Sequence, residues 1–86
     1  PSVAESLGNL ANLYQIQGRY GKAESAYKEA LRIVQKQLGE RHPRVAQILN
    51  NLASLYLDEG RYRETESLLN QALAIRRQQL GNNHPS

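Results

Sequence analysis

The sequence predicts an all-α fold, two antiparallel helical hairpins with one stacked on the other. Three observations carry that prediction. An offset of 42 residues lays the chain on itself with about half of the paired positions identical, and self-similarity at a fixed period marks a repeat architecture. Within each copy the apolar residues recur at helical spacing, and nothing reads as a strand. Glycines stand where one periodic run stops and the next begins, at Gly18, Gly39, Gly60 and Gly81.

The first helix is expected over about residues 2–17, where Val3, Leu7, Leu10, Ala11 and Tyr14 fall at i, i+4, i+7, i+8 and i+11, the spacing of one helical face. Gly18 ends it, because a residue without a Cβ can take the left-handed conformation that closes a helix. The second helix, over about 20–38, carries Tyr20, Ala23, Tyr27, Ala30, Leu31, Val34 and Leu38 on its face, and Gly39 stops it. His42-Pro43 restarts the cycle, since proline fits a first helical turn and disfavours helix in the residue before it. The third helix, about 44–59, repeats the first with Val45, Leu49, Leu52, Ala53 and Tyr56. The fourth, about 62–80, carries Tyr62, Leu69, Ala72, Leu73 and Leu80 after the turn at Gly60. Ala11, Ala23 and Ala30 lack bulk, so the two axes of a hairpin can approach closely.

The copies therefore run over residues 1–42 and 43–84, and Pro85 and Ser86 open a third copy. The chain reads as an excised piece of a longer array. With 86 residues it has a small core, which regular repeats help to stabilise. Cysteine, methionine and tryptophan are absent, which excludes disulfides, thiolate metal sites and cysteine nucleophiles. No apolar run approaches the roughly 20 residues of a membrane-spanning helix, so a soluble protein without membrane contact, cytoplasmic by default, is expected. The formal net charge of +3 is too modest to point to nucleic acid. Most cations interleave with Glu24, Glu29, Glu64 and Glu66, the pattern of solvated helix faces.

Leu10-Ala11, Tyr14, Gly18-x-Tyr20, Ala23 and Ala30-Leu31 stand in an order that resembles the tetratricopeptide repeat, whose usual period is about 34 residues. The longer unit here, with NLA-x-LY, GRY, AE, AL-x-I, LG and HP-x-VA, is similar to the variant found in kinesin light chains and many bacterial repeat proteins. The resemblance covers the whole chain. Thr65 departs from it in the place of Ala23, Leu69 in the place of Tyr27, and Gly8 in the place of Asn50. It implies a right-handed superhelix with the first helix of each pair on the concave wall, and a noncatalytic protein-interaction scaffold.

Helical spacing then puts Glu5, Gly8, Asn9, Asn12 and Ile16 on that wall from the first copy, and Gln47, Asn50, Asn51, Ser54 and Asp58 from the second. An amide offers both a donor and an acceptor and can pair with the main chain of an extended peptide whatever its side chains are. The resemblance implies peptide contacts at Asn9, Asn12 and Asn51, and the wall extends the candidate set to Asn50, Ser54, Glu5 and Gln47. The alternative for each asparagine is a bond to a neighbouring helix. Lysine and arginine are missing from these positions, which argues against a clamp for a terminal carboxylate. Two repeats make only a shallow wall, so weak affinity is expected.

His42 and His84 lie a repeat apart and cannot share a metal; capping or loop packing is the expectation for both. No phosphate loop, no nucleophile beside a base and no convergent carboxylate pair is present, so neither an enzyme nor a cofactor is expected. A helical-repeat binder of single-stranded RNA is the alternative from another class, disfavoured because the cations lie mostly on the outer helices. A stacking fragment with no ligand of its own is a third. Leu68, Leu69, Ile75 and Leu80 should leave an apolar stripe on the last helix for a further repeat or a second copy, stacked end to end or exchanging helices.

Overall fold

The computed structural model describes residues 2–81. Four helices follow one another: α1 (Val3–Ile16), α2 (Tyr20–Leu38), α3 (Pro43–Asp58) and α4 (Tyr62–Gly81). α1 packs on α2, α2 on α3 and α3 on α4, so two hairpins are joined through α2 and α3. There is no strand among the described residues, and no helix among them is long and apolar enough to cross a membrane. His84, Pro85 and Ser86 lie outside the described residues.

The helix ends are built as their residue types require. Ser2 caps α1 by accepting the Glu5 backbone N–H at 3.1 Å, and His42 caps α3 through Nδ1, which accepts from the Arg44 N–H at 3.1 Å. Pro43 opens α3, where a missing N–H costs nothing. The two intra-hairpin turns share one geometry. Gly18 and Gly60 both take φ +77°. Arg19 N–H donates to the Tyr14 carbonyl and Arg61 N–H to the Tyr56 carbonyl, each at 2.8 Å. With the bonds from Gly18 to Gln15 and from Gly60 to Leu57, these are Schellman closures. They bring the backbone of Arg19 and Arg61 back to the tyrosine five residues earlier, and the Arg61 side chain lies over the Tyr56 ring.

Ala11, Ala23, Ala30, Ala46 and Ala53 are buried at the helix crossings, as expected of small residues that let axes approach. Leu49, Leu52, Leu55, Tyr27 and Tyr56 fill the volume between them. Thr65, which replaces the small alanine of the first copy, is buried without loss: its hydroxyl donates to the Arg61 carbonyl at 2.9 Å or to that of Ala53 at 3.3 Å. Several expectations about packing are corrected. Val3 and Leu10 are exposed, and Ala4 is the buried residue of the first turn of α1. Leu38, Tyr62 and Leu73 are exposed as well, whereas Leu69 is exposed as the stripe on the last helix required. Ile75 was expected on an open stripe and is buried instead among Val45, Leu49 and Ala72. It faces back into its own hairpin, whereas Leu69 and Leu80 face outward and Leu68 is half-buried.

One polar cluster ties the hairpins together. Tyr56 on α3 donates its hydroxyl to Glu24 Oε2 on α2 at 2.6 Å. Lys28 reaches the same oxygen at 2.9 Å, and Arg61 reaches Oε1 at 3.3 Å. The Arg61 guanidinium lies 3.9 Å from the centre of the Tyr56 ring, within cation–π range, and also pairs with Glu59 and Glu64. The Tyr56 hydroxyl holds the Glu24 carboxyl below its ordinary value, against the opposing effect of burial and with help from Lys28 and Arg61.

Candidate functional site

α1 and α3 lie on one side of the stack and pack through α2 rather than firmly on each other. Between them runs a trough of about 500 Å³. From α1 it is lined by Glu5, Gly8, Asn9 and Asn12, and from α3 by Gln47, Asn50 and Asn51. The resemblance implied a common wall and helical spacing assigned these residues to it; the structure brings them together in one trough. Ala4, Ile48 and Tyr27 also line the trough.

Ser54, Asp58 and Ile16, expected on the same wall, do not line the trough. Ser54 and Asp58 instead bridge the helices beyond it. Gln15 Nε2 donates to Asp58 Oδ2 at 2.8 Å and lies 3.5 Å from Ser54 Oγ. Tyr27, whose hydroxyl pKa burial raises, donates to Gln15 Oε1 at 3.2 Å and so orients that amide. Toward the N-termini of α1 and α3, Arg44 Nη2 pairs with Glu5 Oε1 at 3.1 Å. Two cross-links thus frame the trough, one at each end.

Within this frame the four asparagines are unengaged. Asn9, Asn12, Asn50 and Asn51 make no side-chain hydrogen bond to any other described residue; Asn50 is half-buried and the other three are exposed. Gly8 stands where the second copy has Asn50, and a Cβ placed on it would meet nothing within 4 Å. The α1 wall is therefore open at the position where α3 presents an amide.

The paired helices, the alanine crossings and the twin Schellman turns find their counterpart in one family, whose model, Tetratricopeptide repeat, matches residues 2–78. The chain belongs to the tetratricopeptide repeat family. No curated protein matches it. Tetratricopeptide repeats are in general protein–protein interaction scaffolds and are typically noncatalytic. The trough of this tetratricopeptide pair carries amide donors and acceptors and one ion pair.

Sequence reasoning missed four residues of the site. Gln15 has Leu57 as its counterpart, so the repeat gave no cue to it, and Tyr27 was assigned wholly to the core. Arg44 and Arg76 line the trough although the wall was expected to lack cations. Arg44 was within reach, being one turn before Gln47 on the same helix. Arg76 was not, because it replaces an apolar residue, Val34, of the first copy.

Proposed function

We propose that this chain is a noncatalytic interaction scaffold that holds an extended peptide segment in the trough between α1 and α3. The observation that carries this reading is the set of four asparagine amides lining one groove with none of their donors or acceptors engaged by the described residues. An extended main chain presents alternating N–H and C=O groups at about 3.3 Å per residue, and amides can pair with both. Asn9, Asn12, Asn50 and Asn51 bind the peptide backbone, with Gln47 beside them. Glu5 and Ser54 contribute at the framed ends. Arg76 makes no ion pair among the described residues, which favours a segment with an acidic or carbonyl-rich residue near α4.

The same reading assigns the repeats to residues 1–42 and 43–84 and takes them as the longer variant similar to kinesin light chains, on the strength of the 42-residue offset. The uncovered outer faces of α1 and α4 serve contact between copies. Single-stranded RNA is the weaker reading, since only two cations, Arg44 and Arg76, line the trough and Arg44 is paired with Glu5.

A peptide-array screen followed by calorimetric titration tests the trough. Replacing Asn9 and Asn51 together by alanine should weaken the selected peptide by about tenfold, two neutral hydrogen bonds of about 0.7 kcal/mol each, without lowering the melting temperature, since alanine is the better helix former. Undiminished affinity in that double variant overturns the assignment. A salt-dependent gel shift with single-stranded RNA, in the absence of any peptide ligand, would transfer the site to nucleic acid.

A further inference from the structure

We propose that Gly8 opens an apolar notch in the wall of the trough, which seats one branched aliphatic side chain of the bound segment, leucine or valine. This rests on the peptide reading above and names a side chain that reading leaves open.

Gly8 lacks the usual structural reasons for a glycine inside a helix. Glycine there is less stable than alanine, because it gives up more backbone freedom on folding. A left-handed backbone, or a neighbour too close for a Cβ, ordinarily accounts for its presence. Neither holds here. Among the described residues positive φ occurs at Gly18, Gly39 and Gly60, whereas Gly8 stands inside α1 with helical backbone. A Cβ built on it would meet nothing within 4 Å. Gly21, the second residue of α2, is equally uncrowded but does not line the trough. What distinguishes Gly8 is the space it leaves in the trough itself.

That space has an apolar floor. Ala4, one turn earlier on the same strip of α1, is buried in the core, and Ile48 of α3 and Tyr27 of α2 line the trough with it. Two departures between the copies meet in this trough: Gly8 stands in the place of Asn50, and Ile48 in the place of Ser6. One takes an amide out of the wall, and the other puts a half-buried aliphatic group where the first copy has a hydroxyl. Both make the trough less polar. Asn9 and Asn12 follow Gly8 within about one turn of α1, and Asn50 and Asn51 line the α3 side. An extended segment turns successive side chains to opposite faces. With its main chain held by the amides, one side chain points to the floor while its neighbours point outward. Binding sites commonly divide the work in this way, a few polar groups fixing orientation over apolar surface. The exchange also sets the size. Gly8 lacks the side chain that Asn50 carries, and leucine branches at the same carbon as asparagine, so an aliphatic group of that size fills the notch.

The probe is an array of nonapeptides in a serine-rich host, each position in turn holding leucine, phenylalanine, serine or aspartate, and calorimetric titration measures the selected peptide. The 86-residue chain should select leucine at one position. Changing that leucine to alanine should weaken binding by about tenfold, the scale of a leucine side chain roughly half-buried. Gly8→Leu fills the notch from the protein side and should weaken the leucine peptide by a similar factor, while costing the alanine peptide little, because the two changes remove one contact. Leucine is a better helix former than glycine, so an undiminished melting temperature shows that the variant folds. Gly8→Asn, which restores the residue of the second copy, should weaken the leucine peptide too. Undiminished affinity in Gly8→Leu, together with a loss in the double alanine variant of Asn9 and Asn51, refutes the notch and leaves the trough reading standing. Selection of phenylalanine over leucine, or of no apolar residue, also refutes it. A chain that takes no peptide, or takes one regardless of Asn9 and Asn51, overturns the trough reading and the notch with it.

Discussion

Leu55 and Leu13 occupy the same position of the two copies, and alanine at each should have very different costs. Leu55 is fully buried between α2 and α3, against Ala23, Ala26, Tyr27 and Leu52. Removing a fully buried leucine side chain to alanine forfeits its transfer free energy and leaves a cavity that neighbours fill only in part, together about 3–4 kcal/mol. Leu13 is 49% exposed. The same three carbons carry a transfer value of about 2.4 kcal/mol when fully buried, so roughly half of it, about 1 kcal/mol, is at stake, and an open surface has no cavity to add. The two variants should differ by about 2–3 kcal/mol, a large share of the roughly 4–13 kcal/mol expected for a chain of this size. Urea unfolding at micromolar concentration, followed by both circular dichroism and tyrosine fluorescence, measures the difference as a shift in midpoint at constant slope. Equal costs at the two positions would refute the reasoning, since they would mean that α2 does not cover α3 in the way described.

Three further outcomes follow from the geometry. Tyr56→Phe should cost about 1.5 kcal/mol by chemical denaturation, the lower end of the range for a hydrogen bond to a charged group, because Lys28 and Arg61 still hold the Glu24 carboxylate. Glu24 titrates below its ordinary value in the folded chain, so its stabilisation is complete above the unfolded carboxylate value of about 4.3 and is lost as pH falls through the depressed folded value; the midpoint should fall in that acid window, and less steeply in Tyr56→Phe. Gly8→Ala should raise stability by about 0.5–1 kcal/mol, since the added Cβ meets nothing within 4 Å, whereas Gly60→Ala, at φ +77°, should lower it by about 1–2 kcal/mol. Thermal unfolding of the two variants side by side checks the opposite signs.

The helices were legible because their punctuation is local. Gly18, Gly39, Gly60 and Pro43 impose backbone conformations whatever surrounds them, and the observed elements begin and end within about a residue of the expected bounds. The trough wall was legible for a similar reason, helical spacing being a property of one helix at a time. Burial at the ends was legible only in outline: an apolar stripe was expected on the first and the last helix, but not which residues would form it. Val3 and Leu10 carry the same letters as Val45 and Leu52, and only the presence of α2 in front of α3 separates a buried residue from an exposed one. Ile75 erred in the opposite direction, because spacing identifies an apolar face of α4 without saying which part of it turns back onto α3. The Glu24–Tyr56–Arg61 cluster was out of reach too: its members come from different copies, separated by 32 and 37 positions, and no pattern along the chain links them.

The two cross-links that frame the trough bear on how stiff the array is. Because α1 and α3 meet mainly through α2, the gap between them is spanned by a surface ion pair and a glutamine bridge. Bonds of that kind are worth about 1 kcal/mol or less each. On the proposed peptide-binding reading, a guest held in the trough can exchange one of these bonds for its own contacts and alter the angle between the hairpins at small expense. Grip on such a guest and the angle between the two hairpins would then be a single coordinate, set by how many of these two bonds remain closed.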